Sequence, residues 1–470
     1  EEMKQLPRTR IFAAGLWSAT LLLLSGCNDV YDTTLDNGLR IVVKEDHRSP
    51  VVVSMVWYKI GSIDEPKGLT GISHVLEHMM FKGTERLKPN EFSRIIAENG
   101  GRENAFTTSD YTAYYQQLEK SRLPIAFDLE AERMQNLKLD EAEFRKEIQV
   151  VMEERRLRTE DQPESLVYEK FMSEAFGTHP YGHPVIGWMA DLERITVNDL
   201  RDWYARWYRP NNAVLVVAGD VKPREVVDLA KKYFGPIKAR PLERPAIPPE
   251  SPQQKMLRTT VRAPAQVPYV LMGFHTPVLE PGKSRRMEES WEPYALSVLV
   301  GVLDGGDSAR FERELVRTQK VASRIGGEYD AIARAPSVLL VSGSPVGDRK
   351  TADLEGAVRA QIERIKTERV TPAELERVKA QVVAGEVYRR DSVMAQAMQL
   401  GELAINSLDL SLLDERVKRL SAVTPDQIMQ VAKKYLNEDN LTVVTLDPQP
   451  IPDGKGKPAP AAGGGSAHVR

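Results

Sequence analysis

An α+β fold of two homologous halves is the architecture the sequence predicts, and three observations carry it. A helix-then-strand unit beginning at Thr196 and passing through Asn212 into Ala-Val-Leu-Val-Val recurs from Thr424 through Asn440 into Leu-Thr-Val-Val. Both pairs of landmarks are 228 residues apart, so the repeat is a single duplication at domain spacing and not a short-period array. Between the copies, Pro236, Pro241, Pro245, Pro248, Pro249 and Pro252 mark a stiff, extended linker. Each half mixes strand-like runs with helices that would cover one face of a largely antiparallel sheet. At 470 residues the chain is too long for one ordinary core and suits two.

The expected organisation is a signal segment at 1–27, a first domain at 31–235, a linker at 236–255, a second domain at 256–447 and a disordered tail at 448–470. Lys4, Arg8 and Arg10 precede an apolar run over residues 11–24, too short for a comfortable membrane span. It closes on Leu24-Ser-Gly-Cys27, which resembles a bacterial lipobox, where cleavage would leave Cys27 as an acylated N-terminus. An uncleaved anchor helix with an incidental cysteine is the other reading. Either way the rest of the chain is expected outside the cytoplasm, on the periplasmic side of a bacterial cell envelope. A lone cysteine excludes a disulfide framework, and a net charge of −3 with both signs interspersed offers nucleic acid no basic footprint.

In the first half, residues 39–45 and 51–60 read as strands, the second apolar enough to be buried on both faces. A helix follows from residue 72. The next helix is expected to be capped by Asn90, to bury Phe92, Ile95 and Ile96, and to stop at Gly100-Gly101. Residues 105–118, rich in Thr, Tyr and Phe, read as strand. Helices are expected over 125–136, 140–159 and 166–175. The turn-rich loop 177–187 carries His179 and His183, each before a proline, and reads as a surface wall near a cleft.

The helix from residue 72 holds the chemistry. Ile72, Val75, Leu76, Met79 and Met80 recur with helical period, and within that stripe stands His74-Val-Leu-Glu77-His78. Positions i and i+4 lie one turn apart on one face, so His74 and His78 can share one ion. Glu77 stands beside them, placed to take a proton from a water on that ion. Two imidazoles and a carboxylate in an apolar helix are costly to bury without an ion or partners, and zinc suits the set. A third protein ligand is then required. The helix over 140–159 carries Glu147 and Glu154, two turns apart on a shared face.

The order H-x-x-E-H followed by E-x6-E, with Asn104-Ala-Phe-Thr107 and Tyr114-Tyr115 between, resembles the pitrilysin family of metallopeptidases, which includes insulin-degrading enzymes and mitochondrial processing peptidases. The resemblance covers residues 31–447 and implies one zinc per chain, with Glu154 as third ligand beside His74 and His78. It makes Glu77 the catalytic base and Glu147 a carboxylate orienting the ligands. It implies two domains closed like a clam shell, hydrolysis of peptide bonds, and a substrate added to the sheet edge along Asn104, Ala105 and Phe106. A catalytically silent binding or assembly subunit, or a lipoprotein with structural zinc, are the alternatives.

The second half repeats the plan without the motif. Residues 256–261, 269–275 and 337–343 read as strands, and 293–303, 354–367, 372–390 and 425–435 as helices. Where the zinc helix should recur, the run from Tyr294 has neither His nor Glu, and Val378 and Gly385 stand opposite Glu147 and Glu154. His275 reads as structural. Self-sufficient relatives resemble one another at an L-R-x6-Y segment whose arginine and tyrosine reach toward the substrate. The matching run here begins Leu315-Val316 and ends at Ser323, with valine and serine in those places. A shifted alignment would use Arg317 and Tyr329 instead. The departure implies a homologous partner subunit supplying the Arg/Tyr pair, with a homodimer as the other arrangement.

Overall fold

The computed structural model describes residues 30–451, so the signal segment, Cys27 and all but the first residues of the expected tail lie outside the described residues. The first half runs β1 (Val30–Thr34), β2 (Arg40–Glu45), β3 (Val51–Tyr58), α1 (Ile72–Met79), α2 (Glu91–Glu98), β4 (Arg102–Thr107), β5 (Thr112–Glu119), α3 (Leu123–Gln135), α4 (Glu141–Arg155), α5 (Pro163–Ala175), α6 (Met189–Leu192), α7 (Val197–Trp207), β6 (Ala213–Gly219) and α8 (Pro223–Tyr233). The second half runs β7 (Leu257–Pro264), β8 (Tyr269–Thr276), α9 (Met287–Leu303), β9 (Ala322–Tyr329), β10 (Ser337–Pro345), α10 (Thr351–Thr367), α11 (Pro372–Asp391), α12 (Val393–Ile405), α13 (Leu412–Ser421), α14 (Pro425–Tyr435) and β11 (Leu441–Gln449).

The duplication is written in the strand order. One sheet runs β1-β2-β6-β3-β5-β4, the other β7-β11-β8-β10-β9. Setting β1 aside, the two orders are the same, and each sheet has a single parallel pair at the same place, β2 with β6 and β7 with β11. The repeated unit is α7–β6 in one half and α14–β11 in the other. Thr196 and Thr424 both close capping boxes at the helix starts. Asn212 and Asn440 each turn a side-chain amide back to the helix end, onto the carbonyls of Trp207 and Tyr435.

Both sheets are covered on both faces, which is why β3 reads as an unbroken apolar run. Val52, Val56 and Tyr58 face the helices of their own half, while Val53, Met55 and Trp57 face the second half. The helix on that far side is α12: a Cβ added at Gly401 would fall 2.0 Å from the Trp57 ring. The exchange is reciprocal. Phe171 of α5 packs on the second sheet, so close that a Cβ on Gly273 of β8 would lie 2.2 Å from its ring. Each half therefore lends one helix to cover the other's sheet.

Several local expectations are corrected. The run 105–118 is two strands joined at 108–111, where the Thr108 hydroxyl accepts from the Asp110 and Tyr111 amides and turns the chain. Asn90 precedes α2, but in left-handed backbone (φ 62°) and with no side-chain cap bond. The helix over 140–159 narrows to α4, followed by a wider helical turn at Arg156–Glu160. Strand β9 and helices α12 and α13 were not legible, and α9 starts before Pro293, which it contains. Loop 177–187 is no surface wall, since His179 and Tyr181 are buried. Strand β11 continues to Gln449, past residue 447.

The halves are also joined by buried charge. Arg334, from the β9–β10 connection, donates to both carboxylate oxygens of Asp64 (2.6 and 2.9 Å) and to the Asp110 carbonyl (3.1 Å). Asp110 also accepts from the Tyr181 hydroxyl at 2.7 Å, and the linker residue Arg244 pairs with Asp64 at 2.5 Å.

Candidate metal centre

Helix α1 starts at a backbone crossing. Gly71 has φ 88° and Gly187 φ 86°, and a Cβ on either would come within 2.9 Å of the other's Cα. Only glycine fits both demands, left-handed backbone and this approach. Having no side chain, Gly71 cannot cap the helix, and Glu65 does so instead. Its carboxyl accepts from the amides of Gly71 (2.7 Å) and Ser73 (2.9 Å). Asp191 fixes the preceding turn through the Thr70 hydroxyl at 2.7 Å, and Trp203 holds Ser73 Oγ at 3.2 Å. Sequence reasoning missed Glu65; the signal was an acid shortly ahead of a helix that opens on glycine.

From this anchored start, His74 and His78 project together, their ring centroids 4.8 Å apart and both residues buried. Helix α4 packs against α1 and brings Glu154 to them. Glu154 Oε2 lies 3.9 Å from His74 Nε2 and 3.4 Å from His78 Nε2. Ligand atoms of the three residues all fall within 4.8 Å of one another. Tetrahedral ligands at about 2.1 Å from one ion stand about 3.4 Å apart, so the donor set and its spacing fit zinc with a fourth position open. Among the described residues this is the one such cluster.

The neighbouring glutamates divide by helix rotation. Glu153 is exposed and pairs with Arg156 at 3.0 Å, while Glu154 turns inward and holds Arg158 at 2.9 Å through its other oxygen. Burial pushes Glu154 up, but His78, His74 and Arg158 outweigh it and hold the carboxylate at about 2. Two turns back on the same face, Glu147 Oε2 lies 3.2 Å from His78 Nδ1 and Oε1 lies 2.7 Å from Lys82 Nζ. Against burial, His78 and Lys82 hold Glu147 at about 2 as well. A proton on His78 Nδ1 satisfies Glu147 and leaves the Nε2 lone pair facing His74 and Glu154.

Glu77 is buried, and Thr107 donates its hydroxyl to Glu77 Oε2 at 2.6 Å. Thr107 ends β4, the edge strand of the first sheet, which also carries Asn104, Ala105 and Phe106. Asn104 Oδ1 accepts from the Ala105 amide at 2.9 Å, and the Ala105 and Phe106 side chains are buried. His179 and His183 stand outside the cluster, as does His275, which packs edge-on to Phe176. In the second half, Arg317 pairs with Glu312 (3.2 Å) within its own exposed turn, and the Tyr329 hydroxyl donates to the Pro277 carbonyl (2.6 Å). Val316 is half-buried, and the Ser323 hydroxyl donates to the Ser344 carbonyl.

Comparison with known proteins places these features. Residues 40–188, which hold all of the cluster, match the family described as Insulinase (Peptidase family M16), and residues 194–382 match the Peptidase M16 inactive domain. The zinc protease PqqE of Helicobacter pylori is 31% identical over 421 residues, covering 88% of this chain and 92% of that protein. The crystal structure of a protease from Helicobacter pylori superposes with a TM-score of 0.83 at 31% identity, over 89% of this chain and 99% of that one. The periplasmic protease PqqL of Escherichia coli shares the fold (TM-score 0.75, 19% identity), over 90% of this chain but 48% of its own.

Proposed function

The chain belongs to peptidase family M16, and on that premise we propose that it is a zinc-dependent endopeptidase acting on peptides or unfolded segments. Residues 31–235 form the half that works on the bond, and 256–447 the half without a metal site. The observation that carries the reading is the convergence of His74, His78 and Glu154, with Glu77 on the same helix and hydrogen-bonded by Thr107.

His74, His78 and Glu154 would hold one zinc ion, with Glu147 orienting His78. Bound there, zinc supplies a Lewis acid for the scissile carbonyl and brings the pKa of its water to about 7. Glu77 accepts the proton of the attacking water, and passes it to the leaving amine as the carbon–nitrogen bond breaks. Thr107 donates to Glu77 Oε2 and holds the carboxylate in place for that transfer. The substrate lies along β4 and reads mostly backbone, its carbonyl displacing the Asn104 side chain from the Ala105 amide. Broad sequence preference follows.

Among the described residues, the second-half pair expected to serve the developing oxyanion is altered or engaged elsewhere. Val316 and Ser323 replace the expected pair, and Arg317 and Tyr329 are engaged within their own half. A homologous subunit supplying arginine and tyrosine would complete the site. The fold of PqqL, in which one chain is about twice this length, supports pairing of two such units. The signal-like start and the periplasmic location of PqqL support the periplasmic side of a bacterial envelope, with Cys27 as a lipid anchor.

The test is cleavage of a quenched peptide by the zinc-loaded chain, alone and with its homologous partner. Slow cleavage alone and a rise on mixing is expected. Full activity of the chain alone, lost on Arg317→Ala or Tyr329→Phe, would reject the partner and restore the shifted alignment. Zinc binding with no cleavage under either condition would favour a silent subunit. Unfolding on chelation would favour structural zinc.

A further inference from the structure

A second charged site lies in the half without the metal cluster. A cavity of about 290 Å³ opens between the end of α10, the start of α11 and residues 308–313. Five arginines line it, Arg310, Arg313, Arg364, Arg369 and Arg377, against only two carboxylates, Glu368 and Glu374. Like charges gathered this closely repel one another unless something negative stands between them.

The pairing of each guanidinium shows where charge is left over. Arg310 is 3% exposed and spends Nε and Nη2 on Glu374 (2.7 and 3.0 Å), while its buried Nη1 has no hydrogen-bond partner. Glu374 is fully used, since it also accepts from the Thr371 amide and hydroxyl. Arg369 is neutralised by Asp426 outside the cavity. Arg377 donates to the Gly301 and Gly305 carbonyls at the end of α9 and makes no ion pair among the described residues. Arg313 and Arg364, at the open side, have looser partners: Glu314 at 3.1 Å and Glu374 at 3.9 Å for the first, Glu368 at 3.4 Å and Gln361 at 3.5 Å for the second. A buried, unpartnered guanidinium nitrogen is costly, and an acceptor brought into the cavity would repair it.

We propose that this cavity binds a compact phosphate-type oxyanion, held by Arg313 and Arg364 at the mouth and by Arg310 at the floor. Three guanidinium groups lining one cavity suit an anion with several oxygens better than a carboxylate, which presents two. The long helix α11 begins at the cavity, and its N-terminal dipole adds to the attraction. Bound anion would tie α10, α11 and the 308–318 segment together. The site does not depend on the peptidase reading.

The experiment is calorimetric and thermal titration of the full chain with inorganic phosphate and, separately, with AMP. Acetate, and chloride at matched ionic strength, are the controls. The expected result is saturable binding of at least one phosphate species below about 10 mM, weakened about tenfold or more in the Arg313→Gln/Arg364→Gln double variant. Both residues are partly exposed on the surface, and zinc content and peptide cleavage without phosphate should be unchanged in that variant. Tighter AMP than phosphate would assign the site to a nucleotide, and the reverse to the free anion. No saturation, equal effects of acetate or chloride, or binding indifferent to the double variant would each overturn the proposal.

Discussion

The Thr107 hydroxyl stands 2.6 Å from Glu77 Oε2, joining the last residue of an edge strand to a glutamate on the helix that carries both histidines. The bond fixes the direction of the carboxylate before any substrate arrives. Replacing Glu77 by glutamine keeps the shape and the Thr107 contact but removes the proton acceptor. The expected result is retained zinc and a turnover lowered by about 10²–10⁴-fold. Thr107→Val leaves a buried carboxylate oxygen short of a donor, and should lower turnover by about tenfold at unchanged metal content. Peptide cleavage measured beside metal analysis checks both, and near wild-type cleavage by Glu77→Gln would reject the assignment of the base.

Metal content should also separate three glutamates on one helix. Glu154→Gln is expected to lose zinc outright at micromolar protein. Glu147→Gln gives His78 a neutral amide oxygen in place of a charged acceptor and should weaken zinc by about tenfold. Glu153→Gln removes only an exposed pair with Arg156 and should change nothing measurable. Zinc retained in the Glu154 variant but lost in the Glu153 variant would move the ligand by one residue.

Arg334 spans the two halves, and its removal takes two donors from the Asp64 carboxylate and one from the Asp110 carbonyl. Asp64 keeps Arg244 and Asp110 keeps Tyr181, so the network is thinned and not abolished. Leaving a buried charge wholly unpaired costs about 3–5 kcal/mol, so with Arg244 remaining Arg334→Ala should lower the denaturation midpoint by less than that full cost. Equal midpoints for variant and parent in urea would show that the halves do not depend on this clasp.

Stability should fall as pH rises from about 5 to 8. Burial, with Asp330 and Asp110 nearby, pushes the Glu402 carboxyl on α12 up to about 8, and Arg416 offsets this only in part. Unfolded glutamate releases its proton near pH ~4.3. Between these values the folded state holds more protons, so the contribution is complete below the lower value and is lost as pH passes through the upper one. Glu402→Gln should flatten the slope of unfolding free energy against pH in that window. An unchanged slope would assign it to other groups.

Local periodicity made much of this protein legible from its sequence. The i, i+4 spacing of His74 and His78 puts both on one helical face in any fold, and the paired Thr/Asn landmarks register a duplication without coordinates. Even Glu147 and Glu154 were visible as a face. What the sequence left open were matters of distance. Residues 105–118 look like one strand because the turn at 108–111 is made by a threonine hydroxyl, not by a glycine or proline signal. Glu65 caps α1 across a loop, and the end of loop 177–187 is drawn in where Gly187 meets Gly71 backbone to backbone. The apolar stripe of α12 fits any apolar sheet face, and only the approach of Gly401 to Trp57 places it on the sheet of the other half. A helix's period is set by its own hydrogen bonds, whereas the surface it covers is chosen by packing between residues hundreds of positions apart, which no local pattern encodes.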